Sequence, residues 1–258
     1  LVPVLHGDSK VITAALFDII TLFKLQSGYT PVTFLLTILF SEFISIFMEI
    51  AVLIFDNVNA LDVVGPCEVL SKIPGTFIKY VAKESGPKNT DAQLKLIADY
   101  ALTDITKADI LLIPGGQGLK SIIDDDDIID WITNCNKTTK WTVSVCTGAL
   151  LLGVAGILKG LKATTHWSRL PCLEDFGAKL QRKRVVIDGK VITCAGVSAG
   201  IDMALTLTSL IAGQTTAKAI QLALEYDPAP PFESGSPDKA PKEIVELILR
   251  KAQAHDSD

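Results

Sequence analysis

From residue 50 onward the chain alternates short apolar runs with longer mixed segments. "IAVLIF" (50–55) is continuously apolar, the pattern of a strand buried on both faces. "FIKYVAKE" is strand-like, and "ADILLIPGG" is a further buried strand closing on a glycine turn. "LDVVGPCEVLSKI" reads as a turn and helix, and "DDDDIIDWITNCNK" as a helix opened by four aspartates. Carboxylates are favoured there by the positive end of the helix dipole, so a solvated helix start explains them without a metal. "WTVSV" (141–145) is β-rich and runs directly into the small-residue helical stretch "CTGALLLGVAGILKG". In "RVVIDGKVITCAG", Asp188-Gly189 between two β-branched runs signals a hairpin. "SAGIDMALTLTSLIAG" and "TTAKAIQLALEY" read as helices, "DPAPPFESGSPDKAP" as an extended proline-rich loop, and "KEIVELILRKAQ" as an amphipathic closing helix. Strands and helices in alternation, with apolar strands, predict one α/β domain whose mostly parallel sheet is covered on both faces.

Residues 1–47 break the pattern. "VITAALFDIITLF" and "PVTFLLTILFSEFISIF" are almost continuously apolar, but the run from Val32 to Phe47 contains Glu42. It falls short of the roughly 20 apolar residues of a spanning helix, and no small-residue cleavage site follows it. The chain opens on Leu1, whereas Met48 stands directly before the first strand. We therefore read 1–47 as an apolar extension of upstream sequence and 48–258 as the catalytic domain. A real anchoring extension is the alternative, and membrane association is expected only in that case.

Composition narrows the function. A net charge of -5 gives no basic footprint for nucleic acid. Five cysteines, an odd number with no C-x-x-C spacing, and three histidines argue against a structural zinc site and for a reducing, cytoplasmic compartment.

The candidate chemistry centres on Cys146. It sits where a strand hands over to a helix, and ligands of such sheets bind beyond the strands' carboxyl ends. The position has the topology of a nucleophile elbow, although its sequence is S-V-C-T-G. Helix N–H groups aimed at the sulfur are expected to lower the thiol pKa; a buried, inert cysteine is the alternative. Gly115 and Gly116 of "IPGGQG" end a different strand, and their N–H groups are candidates for an anion-stabilising pocket. Asp62, just past the first strand, reads on its own as a helix cap. Together, a thiol, a carboxylate and a glycine turn at three strand ends form a plausible site.

"LDVVGPCEVL", "IPGGQG", "SVCTGALLLGVAGILKGLKATTHW", "RVVIDGKVITCAGVSAGID" and "LEYDPAPPFESGSP" resemble the ThiJ/PfpI superfamily, and within it the isonitrile hydratase branch. The resemblance spans the chain from about Met48 and none of residues 1–47. It implies a flavodoxin-like three-layer sandwich, a homodimer, and a cysteine nucleophile needing neither cofactor nor metal. By motif position Cys146 matches the nucleophile and Asp62 the active-site carboxylate. Thr147 frames the site, and Val197 falls near the sulfur on a backbone segment sensitive to its charge. His166 matches a histidine near the cysteine in several relatives, as a dyad partner or a structural residue. Asp202 is expected to anchor its helix start. Thr147 stands where peptidase-like members carry histidine, which argues against proteolysis, and Asp62 stands where the glyoxalase-like branch carries glutamate. The implied reaction adds water to an isonitrile through a cysteine thioimidate, with Asp62 as acid and then base. The alternatives are a ligand- or redox-sensing domain akin to those of AraC-type regulators, and a glyoxalase or deglycase acting on a reactive carbonyl.

Overall fold

The computed structural model describes residues 47–257, with side chains through Ala252. The apolar extension inferred for 1–47 lies outside the described residues apart from Phe47. Strand β1 (Met48–Leu53) begins two residues earlier than its apolar run and pairs in parallel with β2 (Thr76–Ala82) on one side and β6 (Ile110–Ile113) on the other. Beyond β6 come β7 (Trp141–Ser144) and β11 (Val191–Cys194), both parallel, then β10 (Val185–Asp188), antiparallel across the turn at Gly189. With β5 (Tyr100–Ala101) beside β2, the sheet has seven strands in the order β10-β11-β7-β6-β1-β2-β5. Every residue of β6 and β11 is buried, as is β1 from Ile50 to Leu53. That is why their sequences read as unbroken apolar runs.

The order fixes where the helices lie. The connection from β1 through α1 (Ala60–Leu70) to β2 steps one way along the sheet; β6 through α2 (Asp126–Thr138) to β7 steps the other. Right-handed crossovers then place α1 and α2 on opposite faces. Helix α1 packs on α4 (Ala199–Ala223), while α2 meets the short α3 (Gly148–Val154), completing a three-layer sandwich. The switch of direction opens a crevice between the carboxyl ends of β1 and β6, the place where such sheets bind ligands.

Local chemistry sets the helix ends. Asp125 Oδ1 accepts the Asp127 and Ile128 N–H groups at 3.1 and 3.4 Å, and Lys83 bridges Asp125 and Asp127. The aspartate run is thus a capped helix start. Helix α4 covers both predicted helices, interrupted at Gly213, whose φ of 83° no β-carbon tolerates easily. Asp202 in its first turn pairs with Arg184 and accepts the Tyr226 hydroxyl at 3.0 Å. It ties the helix start to neighbouring segments without capping N–H groups.

The sequence pattern passed over an antiparallel hairpin, β3 (Gly86–Asn89) with β4 (Lys95–Ala98), and a small parallel pair, β8 (Lys162–Ala163) with β9 (Lys179–Leu180). The closing helix α5 (Lys242–Ser257) follows the exposed proline-rich loop and leaves Ile244 and Leu247 about 40% exposed. Among the described residues, no helix is long and apolar enough to cross a membrane.

Candidate active site

Three strand ends deliver three groups to the crevice. β1 runs through Asn57–Asn59 into α1, and the cap of that helix is Asn59, whose side chain accepts the Leu61 N–H at 3.2 Å. Asp62, read from sequence as a cap, instead points inward from the first turn and is fully buried. β6 leads into Pro114-Gly115-Gly116, and β7 leads through Val145 into Cys146.

Cys146 has φ 54°, a left-handed conformation uncommon for a residue with a β-carbon. Tertiary contacts hold it there. Its N–H donates to the Ala195 carbonyl at 3.0 Å, its carbonyl accepts the Thr165 hydroxyl at 2.6 Å, and Gly148 N–H closes the turn onto Val145 at 2.9 Å. The turn aims the sulfur at the backbone N–H groups of Val197 and Thr147 and the Thr147 hydroxyl, all of which favour its charged form. Val197 is strained as well, at φ 21°. Two strained residues facing one sulfur are the kind of clustering found at functional sites.

The glycines act differently from the sequence expectation. Gly115 N–H donates to Asp62 Oδ2 at 2.9 Å and Gly116 N–H to Thr147 Oγ1 at 3.1 Å. Both donors are therefore engaged in holding the carboxyl and hydroxyl, and the N–H groups serving the sulfur belong to Val197 and Thr147. Gly115 has no room for a side chain: a β-carbon would stand 2.4 Å from Thr147 Oγ1 and 3.0 Å from Asp62 Oδ2.

Charge is unevenly provided for. Asp62 Oδ1 is buried without a hydrogen bond of good geometry, although the carboxyl and the Cys146 thiol are near enough to influence each other. Burial, reinforced by the negative charge of Asp91 and opposed by Gly115, pushes the Asp62 carboxyl up to about 7. Burial and the Asp62 charge push the thiol up to about 12. This corrects the expectation that the helix end would depress it. Desolvation, reinforced by the neighbouring carboxylate, outweighs the three donors that favour the thiolate. The two groups act as a coupled pair that releases its first proton near pH 7. Three donors face the sulfur and one faces the carboxylate, which lowers the cost of moving the charge to sulfur, although the carboxyl remains the more acidic of the two groups.

His166 accepts Ser168 N–H at its Nδ1 (3.4 Å) and meets the Ser168 hydroxyl at 2.8 Å. Burial, then Arg169, lowers its pKa, so the ring is neutral at pH 7, and among the described residues it makes no hydrogen bond to Cys146. It lines, with Cys146, Thr147, Gly116 and Val197, a pocket of about 680 Å³. Several lining residues carried no sequence signal. Asp91 comes from the unforeseen hairpin, and Arg169 and Cys172 follow His166 at three-residue spacing on a 3-10 segment (Trp167–Leu173). Cys194, at the end of β11, is also buried and electrostatically coupled to Asp62 and Cys146. Among the described residues, no group of three or more His, Cys, Asp or Glu is placed to hold a metal ion.

A parallel α/β sheet with a cysteine at a strand-to-helix elbow and a buried carboxyl beside it defines a class of cysteine-nucleophile proteins. This chain belongs to the DJ-1/PfpI family, whose family model matches residues 48–210. It is 40% identical to isonitrile hydratase of Pseudomonas putida over 205 residues, 80% of this chain and 90% of that protein. It is similar to the crystal structure of a ThiJ/PfpI family protein from Pseudomonas syringae, with TM-score 0.79, 35% identity, and coverage of 81% of this chain and 87% of that one. Oxidized DJ-1 of Toxoplasma gondii shares the fold, at TM-score 0.62 and 21% identity, covering 70% of this chain and 100% of that one.

Proposed function

We propose that this protein hydrates isonitriles to N-substituted formamides, with Cys146 as nucleophile and Asp62 as proton carrier. The observation that carries the reading is the buried Asp62 carboxyl, held on one oxygen by Gly115 and unpartnered on the other, beside a thiol whose sulfur faces three donors. The 40% identity with isonitrile hydratase supports it.

An isonitrile carbon carries a lone pair and accepts both a nucleophile and a proton. Asp62 takes the thiol proton, and the thiolate, steadied by Val197 and Thr147, forms the S–C bond. Asp62 returns that proton to the same carbon, giving the thioimidate R–N=CH–S–Cys146. Again a carboxylate, Asp62 removes a proton from water as oxygen adds to the carbon. C–S cleavage follows, nitrogen and sulfur end protonated, and R–NH–CHO leaves. One water is consumed and the enzyme is restored. Splitting one addition into two covalent steps lowers each barrier, and a carboxyl titrating near neutrality can serve as base, acid and base again. Thr147 frames the sulfur, Gly115 and Gly116 hold the carboxyl and hydroxyl, and His166 forms a neutral wall.

Residues 48–258 act as one catalytic domain in the cytoplasm, and the exposed Leu61 and Val64 of α1 suit burial in a homodimer. The test follows formamide formation from an aryl isonitrile by the wild type, Cys146→Ala and Asp62→Asn. Turnover is expected only in the wild type. A folded, reduced wild type that turns over neither aryl nor alkyl isonitriles overturns the assignment and directs the assay to methylglyoxal and to oxidation of Cys146.

A further inference from the structure

One residue lining the pocket comes from the C-terminal helix. Ala252 of α5 lines the same cavity as Cys146 and Thr147, although more than 100 residues separate them in sequence. Its carbonyl accepts a hydrogen bond from Arg169 Nη2 at 3.2 Å. Arg169 also lines the cavity and lies on the 3-10 segment Trp167–Leu173 that His166 caps. At three residues per turn, His166, Arg169 and Cys172 fall on one face, and all three border the pocket. Residues 242–251 of α5 are almost all exposed and are reached through the largely exposed loop 227–241. Its hold on the domain thus includes a bond made at the pocket.

We infer that Ala252 sets the size of the group the site accepts, and that Arg169 is the positioning residue that holds Ala252 in place. The inference rests on the isonitrile reading for its substrate but not for its geometry. A cavity of about 680 Å³ is of the size that takes ligands of many heavy atoms, far more than a methyl isonitrile fills. The substrate class this wall predicts is an isonitrile with a bulky, mainly apolar substituent. Its carbon reaches Cys146 while its body lies along Leu119, Ile123 and Leu150 and ends against α5. The small side chain at 252 is what leaves that space open.

The test uses the full chain carrying Cys172→Ser, which removes the second pocket thiol, with and without Ala252→Phe or Arg169→Ala. Two ratios are read. One is kcat/KM for a para-substituted aryl isonitrile relative to methyl isonitrile. The other, by intact mass, is the rate of Cys146 alkylation by N-benzylmaleimide relative to iodoacetamide. Ala252→Phe is expected to lower both bulky-to-small ratios about tenfold or more, in line with steric discrimination in apolar pockets. Arg169→Ala, by releasing the wall, should move the ratios the opposite way. Ratios within about twofold of the parent in both variants, with folding intact by circular dichroism, overturn the inference. If no isonitrile is turned over but the alkylation ratio shifts, the wall stands and the hydratase reading falls. If isonitriles are turned over and neither ratio shifts, the wall falls alone.

Discussion

Asp62→Asn should make this protein more stable at neutral pH while abolishing turnover. The structure supplies the magnitude. Burial moves the Asp62 carboxyl from its ordinary 3.8 to about 7, and each tenfold change in ionisation is worth about 1.4 kcal/mol. The folded state binds this proton more tightly than the unfolded chain does. Stability is therefore lost as pH rises from about 4 to about 7, reaching a cost of about 4 kcal/mol above that window. Asparagine is neutral throughout, nearly isosteric, and able to accept the Gly115 N–H through its own carbonyl oxygen. At pH 4 the variant and wild type should unfold together; at pH 7.5 the variant should be the more stable by about 4 kcal/mol, a urea midpoint shift on the order of 1–2 M. Taking the difference between the two proteins cancels His166, Asp125 and the other groups that do not sense the Asp62 charge. The assay is urea unfolding by fluorescence at half-unit pH steps from 4 to 8. Parallel stability curves, or a variant less stable than wild type at pH 7.5, would show that Asp62 is not held in the buried, desolvated state described above.

Three further outcomes follow from the same geometry. With the pair losing its first proton near pH 7, kcat/KM should rise about tenfold per pH unit below that value and level off above it; a flat profile from pH 5 to 8 contradicts a role for this titration. Thr147→Val removes the hydroxyl that accepts from Gly116 and faces the sulfur, and kcat should fall about 100-fold or more, on the scale of losing a single donor, with the onset of Cys146 alkylation moving to higher pH. Gly115→Ala forces a carbon to within 2.4 Å of Thr147 Oγ1 and should cost about 1–3 kcal/mol, the usual penalty of overpacking, in thermal unfolding; wild-type stability would mean the loop shifts freely.

What the sequence made legible was whatever depends on local pattern. β1, β6 and β7 are unbroken apolar or β-branched runs because both faces are covered. The elbow shows because Cys146 stands between such a run and a small-residue helix, and the Asp188-Gly189 signal marks a hairpin whose two loop residues are Gly189 and Lys190. What stayed hidden depends on assembly. "GPKNTDAQLKLIA" (86–98) has no sustained alternation, so the hairpin β3–β4, with Leu94 and Ile97 exposed, left no trace. The spacing of His166, Arg169 and Cys172 means something only once that segment is known to be a 3-10 turn. A helix end can be seen in a sequence, but the burial of Cys146 itself and the Asp62 charge beside it, which push the thiol up rather than down, cannot.

That hairpin has a use beyond packing. Asp91 at its turn donates its N–H to Val58 at 3.1 Å and accepts the Ala60 N–H at 3.3 Å, and its negative charge strengthens the hold of Asp62 on a proton. The acidity of the reacting pair is thus partly set from a surface element that supplies neither nucleophile nor acid. An evolving lineage could retune its working pH by trading charges on this one turn, with the catalytic pair and its strained elbow left untouched.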